Sequence, residues 1–193
     1  MNKVKVLWRV LTHWRELSMA LSGLSVRIGG DDAIGGLTPV ETAALVDWTR
    51  RSGCGTFVEI GTLFGFTAKT IARETQAKVV AVDNFCWNPF GLTPAQHEAF
   101  TRRIIEGTSV EIVRGDSLAY LKGLDGRDAL VFLDGDHRYA AVKAELEAVK
   151  ASGVRFVAGH DFGNPNFGVT QAVREVLGEP DETAGMCWFK KCV

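Results

Sequence analysis

No C-x-x-C pair occurs in this chain. Its four cysteines, Cys54, Cys86, Cys187 and Cys192, therefore exclude a zinc knuckle or a thioredoxin-type redox pair, and the expectation is reduced thiols in a cytoplasmic protein. Charge of one sign is missing as well. With 22 Lys and Arg against 23 Asp and Glu, interspersed to a net −1, the chain lacks the footprint of a nucleic-acid binder, and a small molecule is the expected partner. No low-complexity tract signals disorder. The apolar run after Lys3 and Lys5 is broken by Arg9, His13, Arg15 and Glu16, so it reads as neither signal peptide nor membrane span, and no membrane partner is expected.

What is present is enough for one catalytic unit: 193 residues, 46% of them hydrophobic. Val4, Leu7, Trp8, Leu11, Trp14, Leu17 and Leu21 recur at three- and four-residue steps, which predicts an amphipathic helix over residues 3–22. That stripe suits core packing, a cap over a pocket, or pairing with a second copy in a homo-oligomer. Residues 1–37 thus read as a helix and a glycine-rich linker, and residues 38–193 as the catalytic domain.

Thr38-Pro39-Val40-Glu41 has the pattern of an N-cap, a first-turn proline and an acidic third residue, opening a helix to about Arg51. Beyond it, β-branched runs at Thr56–Ile60, Lys78–Val82, Val110–Val113, Ala129–Leu133 and Arg155–Ala158 read as buried parallel strands. They alternate with helical segments at Thr67–Thr75, Pro94–Glu106, Ser117–Leu121 and Tyr139–Ala151, with a last helix at Val169–Leu177. The pattern predicts an α/β, doubly wound, mostly parallel sheet, closed by an antiparallel strand at Met186–Lys190.

The polar residues gather where these strands end. The first strand runs into Glu59-Ile60-Gly61-Thr62-Leu63-Phe64-Gly65, an E-x-G-x-x-x-G turn in which the glycines permit close approach of a ligand to backbone. The turn lacks G-x-G-x-x-G, which disfavours a nicotinamide-dependent oxidoreductase. Asp83 closes the second strand, where such folds present an acid to ribose hydroxyls. Gly115-Asp116-Ser117 follows the third; it suits an adenine amine, or simply the cap of the next helix, with Ser117 satisfying free amides.

The fourth strand delivers Asp134-Gly135-Asp136-His137-Arg138-Tyr139 and the fifth ends in Gly159-His160-Asp161. Adjacent strand ends meet at one crevice, so Asp134, His137, His160 and Asp161 are expected to converge although 26 positions separate Asp134 from His160. Two carboxylates and an imidazole suit a divalent cation held by oxygens, with the other imidazole free as a base. Each histidine alone also suits a capping or structural role. In the segment after Asp83, Trp87 and Phe90 are candidates for contact with a small ligand or for ordinary covering of the loop.

Val58 to Thr67, Asp83, Gly115-Asp116-Ser117, Phe132 to Tyr139, and His160-Asp161 with Gly168-Val169 together resemble the class I S-adenosylmethionine-dependent methyltransferases. Within that class the D-G-D-H-x-Y block followed by H-D resembles the macrocin-type O-methyltransferases and the cephalosporin-hydroxylase-like proteins. The resemblance implies a Rossmann-like methyltransferase fold, S-adenosylmethionine as cofactor and O-methylation of a small-molecule hydroxyl. It implies Glu59, Gly61, Thr62 and Gly65 at the methionine end, Asp83 at the ribose, and Asp116 and Ser117 at the adenine. Asp134 would serve both the methionine amine and a Mg2+ or other divalent cation, with Asp161 and His160 as further metal ligands and His137 as the base. Relatives that use a metal commonly present two consecutive oxygen-bearing residues where this chain has His160-Asp161; a nucleoside-binding protein without turnover is the alternative.

Overall fold

The structure, a computed structural model, describes residues 3–12, 14, 27–28, 32–33, 37–88, 90 and 92–192. Helix α1 spans Lys3–Thr12, and residue 14 is also helical; the remainder of the helix expected over 3–22 lies outside the described residues. Two short strands, β1 (Arg27–Ile28) and β2 (Asp32–Ala33), pair antiparallel in the glycine-rich stretch that was expected to be linker.

Helix α2 (Pro39–Ser52) starts on a full capping box. The Thr38 hydroxyl accepts from the Glu41 amide while Glu41 reaches back to the Thr38 amide, satisfying donors that a helix start leaves free. Strand β3 (Thr56–Ile60) follows, then α3 (Phe66–Glu74), β4 (Lys78–Asp83), α4 (Pro94–Ile104), β5 (Glu111–Arg114) and α5 (Ser117–Lys122). A single 3-10 turn leads into β6 (Ala129–Leu133), α6 (Tyr139–Ala151), β7 (Phe156–Gly159) and α7 (Val169–Leu177), and the described chain closes with β8 (Glu182–Ala184) and β9 (Cys187–Lys191).

Seven strands form the main sheet in the order β5-β4-β3-β6-β7-β9-β8. The first five in that order are parallel, and β9 pairs antiparallel with both β7 and β8. This is the expected doubly wound, mostly parallel sheet with its antiparallel closing strand. Strand β8 was not expected: three residues at the sheet edge, two of them exposed, carry no apolar alternation to announce them.

Both faces of the sheet are covered, which is why its central strands read as continuous apolar runs. Val58, Ile60, Val80, Val82, Val131 and Leu133 point to the face packed by Val142, Leu146 and Val149 of α6 and by Val173 of α7. Phe57, Val79, Ala81, Leu130 and Phe132 point to the other, against Leu45, Val46 and Trp48 of α2 and Ala68 and Ile71 of α3. Leu45 and Trp48 are almost wholly buried, each contributing about 1.5–3 kcal/mol or more of transfer free energy. Leu37 belongs to the same cluster.

A smaller cluster of Phe64, Phe66, Phe90, Phe100 and Ile104 lies under α4, and Val10 of α1 packs on it. Leu7, Leu11 and Trp14 remain exposed. Among the described residues no helix is long and apolar enough to cross a membrane.

The register brings the strand ends into one row. Ile60 pairs with Val82 on one side and Leu133 on the other. The Gly61 amide donates to Val82 O (2.9 Å), Gly115 to Asp83 O (3.0 Å), Asp134 to Ile60 O (2.8 Å) and His160 to Leu133 O (3.1 Å). Connections from β3 and β6 leave in opposite directions across the sheet, so the row contains the switch point at which open α/β sheets bind ligands.

Candidate functional site

Gly61 and Gly65 are required by geometry. Both have positive φ, 83° and 79°; a Cβ at Gly61 would stand 2.5 Å from Asp134 O, and one at Gly65 would stand 2.7 Å from the Ile105 side chain. The turn between them is therefore pressed against the β6 end on one side and α4 on the other. Thr62 is buried and its hydroxyl donates to the Glu59 carboxyl. Glu59, itself buried on β3, is pushed up to about 8, first by loss of solvation and further by the nearby Asp134 and Asp83 charges, with the Thr62 bond opposing.

Asp83 is held by two amides: Leu63 N donates to its Oδ2 (3.0 Å) and Phe85 N to its Oδ1 (2.6 Å). A carboxylate has about four lone-pair sites. The two amides thus fix its plane and leave acceptor capacity for a diol. Leu63 and Phe85 are both non-glycine residues with left-handed backbone, φ 46° and 59°.

At the β5 end the division of labour is specific. Asp116 is the N-cap of α5, its Oδ1 accepting from Ala119 N (2.8 Å), whereas the Ser117 hydroxyl donates across to Glu145 of α6 instead of capping the helix. The buried Glu145 is pushed up to about 7, mainly by lost solvation. Phe90 is buried and stacks on Phe64 at 5.9 Å, while Trp87 stays 67% exposed; of the two aromatic candidates, Trp87 alone is open to a ligand.

The ends of β6 and β7 bring Asp134, His137, His160 and Asp161 together. His137 Nδ1 lies 3.2 Å from Asp161 Oδ2, and His160 Nδ1 lies 3.5 Å from that same oxygen and 3.7 Å from Asp134 Oδ1. Asp161 has left-handed backbone (φ 61°), and its Oδ1 accepts from Asn164 Nδ2 (3.0 Å). His160 Nε2 turns the other way, 3.2 Å from Oε1 of Glu41. Glu41 is thus both the capping residue of α2 and a member of the site; Met186 N donates to the same oxygen at 2.8 Å. Sequence reasoning missed it because the capping box accounts for a glutamate there completely.

Burial alone would lower the His160 pKa, but hydrogen bonding to Asp161 and the charges of Asp134, Asp161 and Glu41 outweigh it and raise it to about 9. His137 is shifted downward, burial first, opposed by Asp161. One face of its ring lies on Phe167, centroids 4.6 Å apart. Asp134 is raised to about 7, principally by lost solvation, with His160 opposing. The thiol of Cys187, buried beside Glu41, is raised.

Donor atoms of Asp134, His137 and Asp161 all lie within 4.8 Å of one another, as do those of Glu41, His160 and Cys187. Both imidazoles thus stand beside the two aspartates, His160 Nδ1 at 3.7 Å from Asp134 and 3.5 Å from Asp161. An open cleft of about 720 Å³ adjoins the site through Phe167, lined also by Phe162, Asn164, Gln171 and Arg174. Tyr139 and Lys143 form a Tyr-x-x-x-Lys spacing, yet both are engaged by Glu175 of α7, a structural tie between α6 and α7.

Residues 58–154 match the family described as "Methyltransferase domain". No curated protein gave a significant sequence match. Among solved structures, the chain is similar to cofactor-bound Rv0187 from MTB, with TM-score 0.60 and 17% identity over 98% of this chain and 95% of that one. It is similar to the O-methyltransferase TomG from Streptomyces achromogenes in complex with SAM, with TM-score 0.53 and 18% identity over 100% and 97% of the two chains. The O-methyltransferase from Bacillus cereus in complex with SAH aligns with TM-score 0.52 and 16% identity over 91% and 78%. At these identities the likeness is one of fold.

Proposed function

The chain belongs to the methyltransferase-domain family and has its Rossmann-like α/β fold, and from that premise we propose that it transfers a methyl group from S-adenosylmethionine to a hydroxyl of a small acceptor, with His137 as general base. The observation that carries the reading is the pair of imidazoles on Asp161, one biased toward the neutral form and the other toward the cation. Groups pushed apart in this way divide acid and base roles between them.

S-adenosylmethionine supplies a methyl group on a sulfonium centre, open to in-line displacement. The chain's share is alignment and removal of one proton. Glu59 and Asp134 are desolvated carboxyls whose ionised forms a cationic ligand would favour; Gly61 lets it approach the backbone and Asp83 offers fixed lone pairs to a ribose. A proton on His137 Nδ1, directed at Asp161, leaves Nε2 with the lone pair that takes the acceptor proton. The His160 cation offsets the Asp161 and Glu41 charges and keeps Asp161 ionised to orient His137.

The Asp134-to-Tyr139 block supports the narrower likeness to macrocin-type O-methyltransferases, and with it a sugar-like or phenolic hydroxyl as acceptor. A second reading has its own observation: the donors of Asp134, His137 and Asp161 fit one divalent cation such as Mg2+, which would lower the pKa of a coordinated acceptor hydroxyl. We also propose that the exposed face of α1 pairs with a second copy of the chain.

The test incubates the protein with methyl-labelled S-adenosylmethionine and a panel of hydroxylated metabolites, with and without chelator, and follows labelled product by mass spectrometry. Labelled ethers formed equally in chelator support the His137 reading. Activity lost in chelator and restored by magnesium supports the cation reading, and transfer only to amines or thiols overturns O-methylation.

A further inference from the structure

His97 is wholly buried on α4, between the edges of Phe64 and Phe85, with both ring centroids 5.1 Å away. Its Nε2 lies 2.8 Å from Leu63 O and its Nδ1 3.4 Å from Phe85 O. These are the same two left-handed residues whose amides are bound by Asp83. One turn further along α4, the Thr101 hydroxyl donates to Leu63 O as well, at 2.6 Å. Leu63 is thereby held at both ends, its N–H by the acid of the site and its carbonyl by α4. The shorter distance marks Nε2 to Leu63 O as the main hydrogen bond of the ring.

Left-handed backbone is unfavourable for residues carrying a Cβ, so Leu63 and Phe85 keep it only where the surroundings over-determine it. Asp83 alone supplies half of that restraint, the amide half. We propose that His97 is a positioning residue for nucleoside binding: from α4 it fixes Leu63, and packs on Phe85, so that the glycine turn and the β4 turn form one rigid rim around Asp83. The assignment rests on the reading that this crevice binds S-adenosylmethionine. Its consequence is that ligand affinity draws on a helix outside the row of strand ends, because rim ordering is completed before the ligand arrives.

The test measures S-adenosylhomocysteine binding by calorimetry, and the cofactor and acceptor KM values, in folded His97→Leu and His97→Gln variants. His97→Leu fills the space without a donor and is expected to weaken binding roughly tenfold, the scale of one lost buried hydrogen bond. His97→Gln restores an N–H and is expected to recover most of that loss, with the acceptor KM unmoved in both. Combining His97→Leu with Asp83→Asn is expected to cost less than the product of the two separate losses, because both act on the same rim. If His97→Leu does not fold, Thr101→Val carries the test, with weakened binding again expected.

Unchanged affinity in the folded variants overturns the assignment, and so does an equal loss in His97→Leu and His97→Gln, which marks packing alone. If the wild-type protein binds neither S-adenosylmethionine nor S-adenosylhomocysteine, the cofactor reading fails first and the role of His97 falls with it.

Discussion

His137 and His160 share one oxygen: their Nδ1 atoms lie 3.2 and 3.5 Å from Oδ2 of Asp161. Their protonation is nonetheless biased in opposite directions, down for His137 and up to about 9 for His160. At His160 the hydrogen bond to Asp161 and the charges of Asp134, Asp161 and Glu41 outweigh burial, whereas at His137 burial prevails over Asp161. His160 turns its Nε2 to the buried Glu41, whereas His137 lies against Phe167. One carboxylate between two imidazoles thus has a neutral neighbour and a cationic one near pH 7.

A base must be unprotonated to act, so turnover is expected to rise with pH through a value below the ordinary 6.5 of histidine and to level off above it. His137→Gln should lower kcat by roughly 10²–10⁴ while S-adenosylhomocysteine still binds. A pH series of initial rates with calorimetry on the variant checks both. Full turnover in His137→Gln would remove it as the base.

Stability carries the opposite dependence at His160. Its folded pKa of about 9 exceeds the unfolded 6.5, so its stabilisation is fully present below 6.5 and is lost as pH rises through about 9. Wild type should exceed His160→Gln in thermal stability by on the order of 1–3 kcal/mol below that window, and the gap should close across it. Melting curves at several pH values decide the point; a gap independent of pH contradicts it.

Glu59 and Asp134 are raised to about 8 and 7. A cationic ligand favours their ionised forms. S-adenosylmethionine carries one positive charge more than S-adenosylhomocysteine, so its affinity should increase more steeply as pH rises through this range. Glu59→Gln should reduce the difference in slope. Titrations in buffers of different ionisation enthalpy also count the protons released, and equal slopes for the two ligands would count against the two carboxyls acting in this way.

Removal of residues 1–22 is expected to lower the oligomeric mass in solution while leaving nucleoside affinity largely in place, since Leu7, Leu11 and Trp14 are exposed. Val10 packs on the cluster containing Phe64, so the truncated protein is first checked for folding. Light scattering then gives the answer: equal masses for the full and shortened chains exclude α1 as an interface.

The order of strands and helices was legible in the sequence because each local signal agreed with the global fold. Val79, Val80, Ala81 and Val82 can be satisfied only in a sheet covered on both faces, and Thr38 and Glu41 announce a helix start by their own hydrogen-bonding chemistry. Glycines and acids at strand ends likewise marked the crevice, because parallel strands must all end there. The partners of those residues were decided by tertiary structure alone. Glu41 meets His160 across 119 positions and Ser117 meets Glu145 across 28, through sheet order and helix packing that leave no periodic trace in the chain. His97 reads as one more residue of an amphipathic helix until α4 is laid on the glycine turn. Local sequence determines backbone conformation and polarity, whereas which side chains share an oxygen depends on long-range packing and is settled only when the fold closes.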